Sequence, residues 1–114
     1  MQDKYNVLSN RNILLNKGGI YSFIKNINGK QYIGSAKDLY LRLNEHLSKR
    51  KSNSALQAAI LKHGIENFDY YIYEYFTYEN KSVSFKLLTD LETMYIQKFE
   101  FNSLYNFMKS ATSL

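Results

Sequence analysis

Glu92 is the residue whose position most needs a chemical explanation. If the C-terminal segment forms a helix, the Glu92 side chain lies between those of Leu88 and Ile96, so its carboxylate points into an apolar face. A buried ionised carboxylate is unfavourable unless it is paired, protonated or bound to a metal ion. The pattern leaves these options open, and a structural ion pair with Arg42 is the simplest of them.

Arg42 and His46 form a second pair of chemically capable residues. Their i, i+4 spacing places both side chains on one edge of a predicted helix, where the apolar face meets solvent. Arginine can bind a phosphate through two parallel hydrogen bonds, and histidine can accept a proton near neutral pH. The alternative is a solvated polar edge with no chemical role.

Tyr21 and Tyr32 complete the candidate set. Both phenols lie in runs typical of β-strands, where tyrosine is often present for packing alone. Two hydroxyls near a guanidinium could also orient a water molecule, and the cation would lower the pKa of a phenol. No P-loop, zinc-protease or serine-hydrolase motif competes with this constellation.

A β-hairpin is predicted to bring the two tyrosines onto neighbouring strands. Residues 19–25 and 31–34 are strand-like, and the connection at 26–30 contains Asn28-Gly29, a strong hairpin signal. Residues 1–17 show no sustained period, and we expect them to form an irregular or docked extension.

Three helices are predicted to position the remaining candidates. Asp38 is expected to cap a helix that runs to about Lys51. Ser54 begins a capping-box pattern that opens a second helix, and Gly64 ends it. The third helix is expected over about Ser82 to Glu100, with its buried face formed by Leu88, Leu91, Tyr95 and Phe99. His63, next to Gly64, is interpreted as a helix C-terminal cation or a surface residue.

The order of these elements indicates an α/β fold. With a strand-like run at residues 68–76, we predict a small, mainly antiparallel central sheet of about three strands, flanked by helices. The 114 residues suit one domain, and no cysteine is available for disulfides, thiolate zinc sites or thiol nucleophiles. We find no apolar run long enough to span a membrane and no signal-peptide pattern.

The net charge of +5 is unevenly divided along the chain. Residues 1–65 carry a net +8 and residues 66–114 a net −3. A basic half attracts polyanions such as nucleic acids, although basic surfaces can also serve solubility alone. The abundance of Asn, Lys, Ile and Tyr is typical of an A·T-rich genome.

Together these motifs resemble the GIY-YIG nucleases. Gly19-Ile20-Tyr21 and Tyr32-Ile33-Gly34 are similar to the paired signature of that family, and they are followed in order by Arg42, His46, Glu92 and Asn106. The resemblance covers residues 18–111, which we take as the catalytic domain. The Lys62-His63-Gly64 segment and the Tyr, Asn and Lys bias look most like intron-encoded homing endonucleases of fungal mitochondria or phages.

The resemblance implies a metal-dependent DNA endonuclease with the GIY-YIG fold. It implies that Tyr21 is the general base or orients the attacking water, with Tyr32 as its hydrogen-bonding neighbour. Arg42 would stabilise charge on the phosphate, and His46 would orient Tyr21 or relay its proton. Glu92 would bind one Mg²⁺ or Mn²⁺, and Asn106 would shape the site.

The substrate expected from this resemblance is double-stranded DNA, cut by a monomer. The side chains expected to contact DNA are Lys37, Lys49, Arg50, Lys51 and Asn53. Some relatives have another histidine between the first two helices, where this chain reads Lys49 to Ser54, so its role is absent or is taken by another residue. No separate DNA-recognition domain is expected within the 114 residues, and a C-terminal recognition region could lie outside them.

Two alternatives remain open at the level of the sequence. A repair or restriction nuclease could share the same core, and a catalytically silent protein could bind nucleic acid, for example to help intron RNA fold. The expected compartment is the mitochondrion or, for a phage protein, the host cytoplasm.

Overall fold

A four-stranded antiparallel sheet forms the centre of the molecule. The computed structural model describes residues 3–6, 14–15, 17–49, 52–76 and 85–106. The strands are β1 (Asp3–Asn6), β2 (Gly18–Lys25), β3 (Gln31–Ala36) and β4 (Phe68–Phe76), in the spatial order β1-β4-β2-β3. The predicted mainly antiparallel sheet is confirmed. β1 adds a strand from within the segment expected to be an irregular or docked extension.

The predicted hairpin of β2 and β3 is confirmed. Gly29 in its turn has a φ of 75°, which glycine adopts without strain, and the Asn28 side chain accepts a hydrogen bond from the Lys30 backbone N–H. In the observed register Tyr21 lies opposite Gly34, and Phe23 lies opposite Tyr32. The two tyrosines are therefore diagonal neighbours on adjacent strands.

Helix α1 (Leu39–Leu47) follows β3 directly. The Asp38 side chain accepts a hydrogen bond from the Leu41 backbone N–H at 2.9 Å, so the predicted cap is correct. The predicted end at Lys51 is wrong, because the helix ends before Ser48 and Lys49 has a φ of 65°. A left-handed residue cannot continue a right-handed helix, so the chain turns away there.

Helix α2 (Ser54–His63) begins with a different cap from the one predicted. Asn53 is the N-cap, and its side chain accepts a hydrogen bond from the Leu56 backbone N–H at 2.8 Å. The prediction of Ser54 as the cap is wrong, because Ser54 already lies within the helix. Gly64 ends the helix with a φ of 85°, as predicted.

The helices occupy both faces of the sheet. α1 and α2 cover one face, and α3 (Phe85–Ile96) covers the other. The predicted start of α3, Ser82, lies outside the described residues. The predicted end, Glu100, is wrong, because the helix ends in a turn after Ile96. Of the side chains predicted for its buried face, Leu88 and Tyr95 are buried, whereas Leu91 and Phe99 are partly buried.

Two apolar clusters fill the space between the sheet and the helices. Successive side chains of β2 and β3 point to opposite faces of the sheet, so they contribute in turn to one cluster and the other. Tyr21 and Phe23 point toward α1 and α2, whereas Ile20 and Ile33 point toward α3. The first cluster also contains Leu14, Ala36, Leu39, Leu43, Leu56, Ala59, Phe68, Tyr70, Ile72 and Tyr105. Among the described residues, no helix is long and apolar enough to cross a membrane.

Candidate active site

Tyr21 and His46 form a buried hydrogen-bonded pair between the sheet and α1. The Tyr21 hydroxyl lies 2.7 Å from His46 Nε2, and each residue is only 1% exposed. The sequence places the tyrosine in mid-strand and the histidine on the last turn of α1, and the packing of α1 on the sheet brings them together. A phenol and an imidazole at this distance can exchange a proton.

The other ring nitrogen of His46 is held by residues that the sequence analysis missed. Ser52 Oγ lies 2.7 Å from His46 Nδ1, and Gln57 Nε2 donates to Ser52 Oγ at 2.7 Å. Gln57 also donates to the backbone carbonyl of His46 at 2.8 Å. Ser52 lies within the segment Lys49 to Ser54, where the sequence left the role of a further histidine open.

Burial keeps both members of the Tyr21–His46 pair neutral. Burial and then the nearby Arg42 guanidinium lower the pKa of His46 to about 3. Burial raises the pKa of Tyr21 well above 10, and Arg42 only partly opposes this shift. Arg42 does lower the pKa of this phenol, as expected, but desolvation outweighs its effect, so the pKa of Tyr21 does not come down towards neutrality.

Gly34 is required for the tyrosine to reach this position. A Cβ on Gly34 would overlap the Tyr21 hydroxyl and the adjacent ring carbon. The phenol thus lies directly over the backbone of the neighbouring strand, at the residue opposite Tyr21 in the register. This close approach is the structural reason for a glycine at the third position of Tyr32-Ile33-Gly34.

Tyr32 lies beside the pair and is more accessible. Its ring centroid is 6.4 Å from that of Tyr21 and 5.6 Å from that of His46. Burial raises the pKa of Tyr32, the Glu92 carboxylate raises it further, and Arg42 lowers it. The Tyr32 phenol therefore experiences the fields of both an anion and a cation.

Arg42 projects from α1 toward the same region. Its Nη1 lies 3.1 Å from Glu45 Oε1, and its side chain is 15% exposed. Burial would lower the pKa of the guanidinium, but Tyr21, Glu45 and Tyr32 outweigh it, so the pKa is raised and the group stays protonated. The predicted ion pair between Arg42 and Glu92 is wrong: Arg42 pairs with Glu45 instead, and its guanidinium also interacts with the Tyr21 and Tyr32 hydroxyls.

Glu92 is held instead by Ser35, across the edge of the sheet. Ser35 Oγ donates to Glu92 Oε1 at 2.6 Å. Burial raises the pKa of this carboxylate, while hydrogen bonds from Ser35 and the positive charge of Arg42 lower it. Arg42 therefore acts on Glu92 through its charge and not through a direct ion pair.

A hard divalent cation suits Glu92, because carboxylate oxygen is its preferred protein ligand. No group of three or more His, Asp or Glu side chains within the described ranges could hold a metal ion. An ion at Glu92 would therefore take most of its ligands from water and from substrate oxygens, as Mg²⁺ commonly does.

Asn106 fixes the strand that carries Tyr32. Its side chain accepts from the Ile33 backbone N–H at 3.0 Å and donates to the Ile33 carbonyl at 2.8 Å. Because both of these hydrogen bonds join the Asn106 side chain to backbone atoms, the position suits a residue that shapes the site.

The predicted DNA contacts fall into three groups. Lys37 and Lys49 are exposed at the two ends of α1. The Asn53 side chain caps α2, so at least one of its oxygen lone pairs is engaged within the protein. Arg50 and Lys51 lie outside the described residues.

Tyr70 is a further buried phenol that the sequence analysis did not single out. Its ring centroid is 5.4 Å from that of Tyr21 and 5.0 Å from that of Phe23. Its hydroxyl has no hydrogen-bond partner among the residues that the structure describes. A strand pattern rich in tyrosine does not distinguish this residue from its neighbours, so no sequence signal could have identified it.

Comparisons with known proteins agree with this arrangement. A family model described as the GIY-YIG catalytic domain matches residues 17–106. A Neurospora crassa protein named probable intron-encoded endonuclease 1 is 59% identical over 113 residues, which are 99% of this chain. The chain spans only 37% of the length of that relative.

Two solved structures share the fold. A mutant of the catalytic domain of intron endonuclease I-TevI matches with a TM-score of 0.69 and 28% identity, over 85% of this chain and 99% of that one. A second structure, of the catalytic domain of homing endonuclease I-TevI, matches with a TM-score of 0.61 and 27% identity, over 80% of this chain and 98% of that one.

Proposed function

The chain belongs to the GIY-YIG family, and on that premise we propose that it is the catalytic module of a metal-dependent homing endonuclease that hydrolyses DNA phosphodiester bonds. The observation that carries the proposal is the 2.7 Å hydrogen bond between Tyr21 and His46, beside a protonated Arg42 and the carboxylate of Glu92. The organelle we propose is the mitochondrion, on the strength of the A·T-type composition and the intron-encoded fungal relative.

Tyr21 and His46 would act together as the base. Because the pKa of Tyr21 is raised, a free phenolate is disfavoured at neutral pH. The hydroxyl can accept a proton from water only if it passes its own proton to His46 Nε2. We assign the proton of neutral His46 to Nδ1, where Ser52 Oγ accepts it, which leaves Nε2 as the acceptor.

Arg42 and Tyr32 would bind the phosphate during the reaction. The guanidinium supplies fixed positive charge where the pentacoordinate phosphate becomes more negative. The more accessible Tyr32 hydroxyl can donate to a phosphate oxygen or to the attacking water. Glu92 would hold one Mg²⁺ or Mn²⁺, which supplies Lewis acidity and favours departure of the leaving oxygen.

A plasmid-nicking assay tests this function. The chain should nick DNA with Mg²⁺ or Mn²⁺, and EDTA or Glu92→Gln should abolish nicking without weakening DNA binding. Glu100→Gln, an equal change at an exposed glutamate after α3, should leave activity intact. A chain that leaves DNA uncut with every divalent metal, or a fully active Glu92→Gln, would refute the nuclease proposal.

Two substitutions test the assigned roles. Arg42→Ala should preserve the fold and reduce the cleavage rate by roughly 10²-fold or more, as expected when fixed transition-state charge is removed. Tyr21→Phe keeps the ring and removes the hydroxyl, and it should lower the rate by about 10²-fold or more. Unchanged cleavage would show that the Tyr21 hydroxyl is not needed.

Substrate choice tests the homing character. Duplexes with and without an intron-insertion junction should be cut at different rates by a protein that carries its recognition region. A preference for damaged or branched DNA would favour a repair nuclease instead.

A further inference from the structure

Lys25 is a buried cation outside the catalytic site. It is the last residue of β2 and is only 9% exposed. Its Nζ lies 3.2 Å from Nε2 of His63, at the end of α2. Since an ammonium group can only donate, His63 Nε2 must accept, and the imidazole is neutral in this arrangement.

Within the described residues, this buried ammonium forms no ion pair with a carboxylate. The side-chain ion pairs given by the described ranges are Arg42–Glu45 and Lys86–Asp90, and neither involves Lys25. Buried charges are normally paired, because desolvation is otherwise uncompensated. The partial negative charge at the C-terminus of α2 offsets only part of this cost.

Two further lysines surround the same space. Lys30 and Lys62, with Lys25 and His63, line a groove of about 440 Å³ between the hairpin turn and α2, which we term the lysine groove. Alanines of α2 and the Tyr105 ring complete it, and Lys30 Nζ lies 4.9 Å from the centroid of that ring. With three ammonium groups and no carboxylate among its described lining residues, the groove suits a phosphate-bearing ligand.

The groove lies on the same side of the sheet as the catalytic tyrosine. Tyr21 and Lys25 are four residues apart on β2, so their side chains share one face and their Cα atoms are about 13 Å apart. Phosphates of one DNA strand wind around the helix axis as well as advancing about 3.4 Å along it per nucleotide, so two phosphates about 13 Å apart in a straight line are separated by about two nucleotides.

From these observations we propose that the lysine groove binds a backbone phosphate of the DNA substrate about two nucleotides from the bond that is cut. The inference rests on the proposed function for the identity of the polyanion. It gives the catalytic module a second anchor on DNA, separate from Arg42 and Glu92, and assigns the buried Lys25 a counterion.

The test measures DNA binding in EDTA, where no cleavage can occur. Affinity for a duplex is determined by fluorescence anisotropy across a range of salt concentrations for the wild-type chain and for Lys25→Met, Lys30→Gln and Lys62→Gln. A lysine that contacts a phosphate should reduce the magnitude of the salt slope by about one when it is replaced. Lys98→Gln, an exposed lysine on the α3 side, should leave the slope unchanged and is the matched control.

Two further readouts separate a binding role from loss of fold. Lys25→Met removes an unpaired buried charge, so its melting temperature should be equal to or above that of the wild type. Neutral methylphosphonate links placed singly along the duplex should weaken wild-type binding most when they lie about two nucleotides from the cut. The same links should have no effect on the Lys25→Met variant.

The outcomes distinguish this proposal from the proposed function. Salt slopes and methylphosphonate effects that are identical in the wild type and all three lysine variants would overturn the groove and leave the nuclease proposal standing. A wild-type chain that does not bind DNA would also overturn the groove, and the nicking assay would then judge the nuclease proposal separately. Lysine-dependent binding by a chain that never cuts DNA would support the groove and contradict the nuclease proposal.

Discussion

At the scale of single residues, the site combines neutral and charged groups in separate places. Tyr21 and His46 are neutral and almost fully buried, whereas Arg42 and Glu92 carry the charges nearer to solvent. When Tyr21 takes a proton from the attacking water and passes its own to His46, the phenol stays neutral and the positive charge comes to lie on the imidazole. The relay thus avoids a free phenolate, but because burial lowers the pKa of His46 to about 3, the imidazole can hold this proton only while negative charge forms on the attacking oxygen beside it.

Gly34→Ala tests the close approach of β3 to Tyr21. The added Cβ would displace the phenol and break its bond to His46, so cleavage should fall by roughly 10²-fold. Stability should fall by about 1–3 kcal/mol, the usual cost of overpacking. Cleavage rates and thermal unfolding measure the two effects.

Gly29→Ala is the matched control for Gly34. Gly29 has a positive φ but no atom near its missing Cβ, so alanine should cost about 1 kcal/mol of backbone strain and leave cleavage unchanged. If both alanine variants lowered activity equally, crowding of Tyr21 would not be the cause.

Ser52→Ala tests the fixation of the His46 tautomer. Without the serine hydroxyl, Nδ1 loses its partner and the Nε2-protonated ring becomes accessible, so cleavage should fall by about tenfold. Ser52→Thr keeps a hydroxyl and should recover most of the rate. Nitrogen chemical shifts of His46 report the tautomer directly, and shifts unchanged in Ser52→Ala would argue against this positioning role.

At the scale of elements, the start of α2 links helix stability to the site. Asn53 caps the helix, and its neighbours Ser52 and Gln57 contact His46. A shift in where α2 begins would therefore move the hydrogen bonds that hold the imidazole. Ser52 and Asn53, just before α2, thus belong to the candidate site as well as to the start of the helix.

Asn53→Ala should lower the free energy of unfolding by about 1 kcal/mol, because a backbone N–H at the helix start loses its acceptor. Ser54→Ala, one residue later and within the helix, should change it by less than about 0.5 kcal/mol. Chemical denaturation of the two variants decides between the caps, and a larger effect at Ser54 would contradict the observed geometry.

Local signals explain which elements could be predicted from the sequence. The hairpin turn at Asn28-Gly29, the cap at Asp38 and the stop at Gly64 depend on the conformational preferences of one or two residues, and all three are correct. The end of α1 could not be predicted, because nothing in the composition of the segment requires a positive φ at Lys49.

The members of the site were easier to identify than their contacts. Periodicity gave the direction of Glu92 on its helix but not its partner, because α1 and α3 pack on opposite faces of the sheet with β3 between them. The carboxylate therefore meets Ser35 on that strand before it can reach Arg42. Ser52 and Gln57 approach His46 only after the chain reverses direction, which no local pattern encodes.

At the scale of the whole molecule, the basic N-terminal half and the acidic C-terminal half of the chain both contribute to the candidate site. The basic half supplies Arg42 and the lysines of the groove, and the acidic half supplies Glu92 from α3. Arg42 on α1 and Glu92 on α3 lie on opposite faces of the sheet, and β3 lies between them, where Ser35 holds the carboxylate. A polyanion attracted to the face of α1 and α2 would thus meet the carboxylate at the β3 edge.

The buried His46 should make stability depend on pH. Its folded-state pKa of about 3 lies below the ordinary value of about 6.5, so the unfolded chain binds the proton more readily. Stability should be constant from about pH 6.5 to 10 and decline as the pH falls from about 6.5 towards 3, by up to about 1.4 kcal/mol per pH unit. The raised pKa of Tyr21 predicts a second decline above about pH 10.

Thermal unfolding between about pH 5 and 6.5 checks this slope, since most carboxylates remain ionised there. His46→Gln should flatten the dependence, even if it lowers stability overall. His63→Gln replaces the more exposed histidine and should preserve most of the slope. A slope that survives in His46→Gln would assign the effect to another group.

The outer side of β3 has a consequence for how the protein behaves at high concentration. As an edge strand, β3 would present unpaired N–H and C=O groups that could pair with another copy, the usual start of aggregation. Here Tyr105 N–H binds the Gln31 carbonyl and the Asn106 amide covers both polar groups of Ile33. The residues that shape the site therefore also close the edge of the sheet against intermolecular pairing.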